Sequence, residues 1–115
     1  MTTYMLLLYA NEAAGEAIAP EAMSMWMEKM NAYGEALKKA NAFVATAGLG
    51  RSKTARTIHA NKDELQVHNG PYADTQEQLG GYYVIKAASM DEAQQWATKC
   101  PAALWGHIEI REVQY

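Results

Sequence analysis

Every residue from Tyr4 to Tyr9 is apolar or aromatic, in the run Tyr-Met-Leu-Leu-Leu-Tyr. Side chains alternate between the two faces of a strand, so a strand with no polar position demands cover on both sides. Tyr82-Tyr83-Val84-Ile85 makes the same demand. Against these strands stand two long helical patterns. Met23, Trp26, Met27, Met30, Tyr33 and Leu37 recur at three- and four-residue steps, which predicts a helix of about twenty residues opening at Pro20. Ala93, Trp96, Ala97 and Cys100 predict a second, opened by the capping box Ser89-Met90-Asp91-Glu92 and ended by Pro101. Two helices cover one face of a sheet. The simplest cover for the other face is the same face of a second copy, which gives a two-fold homodimer with stacked sheets.

The remaining segments complete the layout. Residues 11–19 predict a loop, 43–47 a short strand, and 54–59 with 65–68 a hairpin around Ala60-Asn61-Lys62-Asp63. Asn69-Gly70-Pro71 breaks the chain. Residues 75–79 predict a helical turn capped by Asp74 and Glu77, after which Gly80-Gly81 releases the strand 82–86. A last strand occupies 107–113. This order predicts an α+β fold, a ferredoxin-like split βαβ domain with an extra hairpin, as one domain over residues 1–115. The methionine-rich stripe of the first helix reads as core, with an adaptable binding groove as the alternative.

Ten Lys/Arg against thirteen Asp/Glu give a net charge of −3 without any basic run. Phosphate-backbone binding needs the opposite footprint, so nucleic acid is not an expected partner. The apolar run at the start is too short to span a bilayer and has no basic residues before it, so neither a membrane helix nor a secretory signal is expected. A lone Cys100 has no disulfide partner in the chain and suits a reducing cytosol. The expected location is cytoplasmic. No Gly-x-Gly-x-x-Gly, Walker, His-Glu-x-x-His or Gly-x-Ser-x-Gly sequence is present, and no cofactor is expected.

The stretch from His68 to Tyr83, His-Asn-Gly-Pro-Tyr-Ala-Asp-Thr-Gln-Glu-Gln-Leu-Gly-Gly-Tyr-Tyr, resembles the signature of the DGPF branch of the YCII-related proteins. The opening at 4–9, the trio Asp91-Glu92-Ala93, the turn Cys100-Pro101-Ala102-Ala103 and the ending Ile108-Glu109-Ile110-Arg111 agree with it. The resemblance implies a dimeric α+β barrel. It also carries departures: Asn69 stands where the branch usually has Asp, Tyr72 for Phe, Gln76 for Lys and Glu112 for Pro. An amide at 69 accepts and donates hydrogen bonds but does not act as a carboxylate base. A His–Asp pair suggested for the wider group, with its His on the first helix, has no counterpart here, because the histidines are His59, His68 and His107.

Several residues are candidates for chemistry. Asn69-Gly70-Pro71 is sufficient for a rigid turn; alternatively it closes the rim of a cavity and aims Asn69 and Tyr72 inward as ligand anchors. On the last strand His107, Glu109 and Arg111 share one face and Ile108 and Ile110 the other. The isoleucines are expected under the helices, and Glu109 and Arg111 in the dimer interior as an ion pair, either a structural clamp or an anchor for an acidic or enol-like ligand. His68 and His107 are the acid–base candidates, although neither has an identified orienting carboxylate. No ligand spacing recommends a metal site. Cys100 is expected to be a buried thiol.

Two functions follow. In the first, a homodimer binds a small molecule, or acts on one without a cofactor, in a cavity using Tyr4, His68, Asn69, Tyr83, His107, Glu109 and Arg111; that superfamily's scaffold hosts isomerases, oxygenases and lyases. In the second, implied by the reported gene neighbourhood of the branch, the protein is a non-enzymatic accessory module partnering a transcription factor such as an alternative sigma factor. Trp105 is then the evident exposed apolar contact.

Overall fold

The computed structural model describes residues 1–115. Its elements run β1 (Thr2–Ala10), α1 (Glu12–Glu16), α2 (Pro20–Lys39), β2 (Phe43–Gly48), β3 (Arg56–Asn61), β4 (Glu64–Asn69), β5 (Gln78–Ala87), α3 (Met90–Lys99) and β6 (Gly106–Glu112). Short 3-10 turns occupy Ser52–Thr54 and Pro101–Leu104. The main sheet has the order β2-β5-β1-β6 with every neighbouring pair antiparallel. The apolar run is therefore the inner strand that its composition requires. Each long helix connects two strands that have a third between them, the split βαβ layout of an α+β domain.

Alternation sorts the side chains. Tyr4 and Leu6 of β1, with Tyr83, Ile85 and Ala87 of β5, face the helices and are buried against Tyr33 and Leu37 of α2 and Ala93, Ala97 and Cys100 of α3. Ile108 and Ile110 pack against this core, as their strand parity predicts. The Tyr33 hydroxyl donates to the Trp96 carbonyl at 2.7 Å and ties α2 to α3, while its ring meets Tyr83 edge-on at 5.3 Å. Ser89 caps α3 by accepting the Glu92 N–H at 3.2 Å. Burial raises the Cys100 thiol pKa, which makes it a structural thiol.

Four local expectations fail. Residues 12–16 are helical, because the Asn11 side chain accepts the Ala14 N–H at 2.9 Å and nucleates a turn. Residues 75–79 are not helical. The Gln78 side chain donates to the Thr75 carbonyl at 2.6 Å and closes the turn, while Gln78 itself pairs with Ala10 at the start of β5; neither Asp74 nor Glu77 caps a helix there. Gly80 lies inside β5 as the extra residue of a bulge opposite Leu8 and Tyr9. Finally, the methionine stripe is core only in its second half: Tyr33 and Leu37 are buried, but Met27 is exposed.

The other sheet face carries Met5, Leu7 and Tyr9 of β1 beside Val84 and Tyr82 of β5, bordered by Arg111, Glu109 and His107 of β6. These apolar residues are only partly covered by their own chain. β3 and β4 form a separate two-stranded sheet in which one face, Ile58, Ala60, Leu65 and Val67, is apolar and exposed. Gly70 adopts φ +120°, which only glycine takes without strain, and its N–H donates to the Ala55 carbonyl at 2.7 Å to anchor the hairpin. The result is thin and extended, 18 Å in its shortest dimension with a radius of gyration of 16.1 Å, against about 13–14 Å for a compact domain of this length. No helix is long and apolar enough to cross a membrane.

Candidate functional site

The motif turn ends in a cleft. Pro71, Tyr72 and Thr75 form one wall, the segment from Leu49 to Ala55 the opposite wall, and Tyr9, Gln78 and Leu79 the base, enclosing about 550 Å³. The walls are held by a chain of polar contacts. Gln78 bonds Thr75 through its amide nitrogen and accepts the Glu12 N–H at 3.0 Å through its amide oxygen. Glu12 in turn accepts from the Ser52 N–H at 2.8 Å and from its hydroxyl at 2.5 Å. Arg51 pairs with Glu16 through Nη1, and its buried Nε lies 3.7 Å from the Glu12 carboxylate, an ion-pair contact too long for a hydrogen bond. The cleft is thus an apolar concavity with one guanidinium and several neutral hydrogen-bonding groups in its wall.

A second feature adjoins it. His107 lies directly across from Tyr9 in the sheet, and its Nδ1 donates to the Glu77 carboxylate at 2.8 Å. Glu77 is the orienting carboxylate that a helical turn at 75–79 would have aimed elsewhere. With Nδ1 engaged, Nε2 of a neutral ring carries the lone pair that accepts a proton. His107 is 82% exposed, so this pair is open to an incoming molecule.

The sequence candidates scatter around these features. Tyr72 lines the cleft and is 90% exposed, so it contributes nothing to the core and is available to a ligand. Tyr4 and Tyr83 face the helices instead, on the opposite side of the sheet from Glu109 and Arg111, because β1 and β5 present alternate residues to the core. Burial raises the Tyr83 hydroxyl pKa. Glu109 and Arg111 pair at 3.3 Å on the open face, where both are exposed in the single chain; such a pair contributes little while solvated. His68 and Asn69 lie on the exposed hairpin, with His68 opposite Thr57 and Asn69 opposite Arg56, so His68 and His107 belong to different sheets. No three His, Cys, Asp or Glu side chains converge into a metal-ligating group. Arg51, Ser52, Glu12 and Gln78 escape sequence reasoning, since they are single polar residues brought together over sequence separations of 40 and 66.

Residues 2–114 match the YCII-related domain. The chain belongs to the YCII-related family. An uncharacterised protein of Rhizobium meliloti (strain 1021) is 33% identical over 94 residues, covering 82% of this chain and 76% of that one. The match to the YCII-related domain takes in both sides of the cleft, the β1 end with Glu12 and the motif turn with Gln78.

Within this YCII-related domain the Glu12–Ser52 contact sets a pH dependence. The Ser52 hydroxyl, opposed by burial and helped by the Ser52 N–H and the Arg51 and Lys53 charges, holds the Glu12 carboxyl below its ordinary range. A carboxyl lowered in the folded state stabilises above its unfolded pKa and loses that contribution as pH falls through the folded value. Glu12→Gln is expected to cost about 1–2 kcal/mol in urea unfolding at pH 7, with the gap narrowing at pH 3. An unchanged gap rules the contact out as a stability determinant.

Proposed function

We propose that this protein, within the DGPF branch of the YCII-related family, is a homodimeric small-molecule-binding protein whose ligand occupies the cleft between the motif turn and the segment from Leu49 to Ala55. The observation that carries the proposal is the cleft itself. An apolar concavity of about 550 Å³, with neutral hydrogen-bonding groups and a guanidinium already paired with Glu12 and Glu16 in its wall, suits a small, largely apolar ligand. The exposed Tyr72 ring supplies further contact area at the rim. The His107–Glu77 pair beside Tyr9 favours acid–base chemistry on that ligand, with Nε2 as the proton acceptor. Homodimerisation through the open sheet face is supported by the partly covered Met5, Leu7, Tyr82 and Val84. Glu109 and Arg111 then enter the interface as the ion pair already formed within one chain.

A partnership with a transcription factor is supported by an exposed patch of Met25, Leu104 and Trp105 alone, which has no charge pattern to select such a partner, and it is the weaker account. The test is an amide-resolved NMR titration with a fragment set spanning carboxylic acids and neutral carbonyl compounds. Expected hits shift the backbone signals of Ser52, Thr75 and Gln78, and Tyr72→Ala weakens them about fivefold or more, the loss of roughly 1 kcal/mol of aromatic contact. Hits that scatter over the surface, or that ignore Tyr72→Ala, overturn the cleft assignment.

A further inference from the structure

The apolar stripe of α2 extends past the core it covers. Tyr33 and Leu37 are buried, whereas Met27, nearer the helix start, is 50% exposed. Under that half of the helix three sheet positions are glycines, Gly48, Gly80 and Gly81. β2 and β5 approach so closely that a Cβ on Gly81 would lie 2.9 Å from the Ala47 carbonyl oxygen, and the neighbouring Gly80 is the bulge residue. A glycine floor beneath Trp26, Met27 and Met30 leaves a cavity of about 530 Å³. This is the size range of small-ligand sites. It lies on the helix side of the sheet, away from the open face.

The lining specifies the chemistry. Trp26 and Trp105 meet edge-to-face at 5.4 Å between ring centres and 75° between planes, forming an aromatic corner. No charged side chain lines the cavity, so an ionised ligand would be desolvated without a counterion. The polar groups are neutral: the Asn31 amide and the hydroxyls of Thr46 and Tyr83. The Thr46 hydroxyl is already committed, donating to the Tyr82 carbonyl at 2.9 Å. Water in such a space finds few partners, and an aromatic ring that displaces it gains both apolar burial and edge-to-face contacts.

We propose that this cavity is a second binding site, selective for a neutral aromatic molecule of one or two rings bearing a hydroxyl or carbonyl group. The tryptophans supply the test, because Trp96 lies between α2 and α3 outside the cavity and acts as an internal control. The full chain labelled with ¹⁵N is titrated with 2-naphthol and, separately, with 2-naphthoate while the three indole N–H signals are followed. The expected result is a saturable shift of Trp26 and Trp105 with Trp96 unmoved, and binding of naphthoate weaker by about tenfold or more. Met27→Lys, at a half-exposed position that tolerates the change, is expected to reverse that preference by placing a counterion at the rim. Absence of any shift up to the solubility limit of 2-naphthol overturns the proposal. So does equal movement of all three tryptophans, equal binding of naphthoate to the unaltered protein, or a folded Met27→Lys variant that keeps the original preference.

Discussion

Gly106→Ala is expected to be the most damaging small substitution in the chain. Gly106 pairs with Ala10 where β6 joins β1, and a Cβ there would collide with the Tyr9 carbonyl oxygen and lie 2.9 Å from its carbon. Both obstacles are backbone, so no rotamer change relieves them and the strand ends must separate. The expected cost is about 3 kcal/mol or more, a fall of roughly 12 °C or more in melting temperature for a domain of this length. Gly34→Ala is the matched control. Nothing lies within 4 Å of its added Cβ inside α2, and helix propensity favours it by up to about 1 kcal/mol. Melting curves of the two variants check both signs, and a Gly106→Ala protein as stable as the parent would mean that β1 and β6 do not meet in this register.

Val84→Glu is expected to convert the proposed dimer to monomer without unfolding the chain. Val84 sits opposite Met5 in the middle of the open sheet face, where the single chain leaves it partly exposed. A carboxylate is solvated there in a monomer. In a two-fold stack of sheets it is buried twice near the axis, at a cost of at least about 3 kcal/mol, or roughly a hundredfold in dissociation constant. Sedimentation equilibrium is expected to give twice the chain mass for the parent protein and the single mass for the variant, with unchanged circular dichroism. A monomeric parent at tens of micromolar would remove the stacked-sheet proposal, and the ligand cleft would then stand or fall on its own titration.

How far these features are legible in the sequence differs with the range of the interaction. The helix from Pro20, the strand at β1, the Ser89 cap and the placement of Ile108 and Ile110 are set by periodicity and local hydrogen bonding, which neighbouring residues report. The helical turn expected at 75–79 does not form, because local propensity there yields to the Gln78 side chain and to strand pairing with Ala10. As polar-tipped residues, Tyr4 and Tyr83 suggest a shared cavity with Glu109 and Arg111. Strand parity puts the tyrosines under the helices.

The candidate site shows the same division. Tyr72 and His107 stand out as residue types, but the Glu77 carboxylate that orients His107 and the Glu12 that holds Ser52 are ordinary acidic residues until the chain folds. By itself the sequence determined the α+β order of elements, the membership of the motif in this family, and the presence of more apolar strand surface than two helices cover. Tertiary structure alone decided which polar groups meet, where the clefts open, and that half of α2 rides over a glycine floor. The reason is physical: periodicity encodes which face of an element is apolar, whereas convergence over many intervening residues depends on strand order, register and a bulge that no local pattern records.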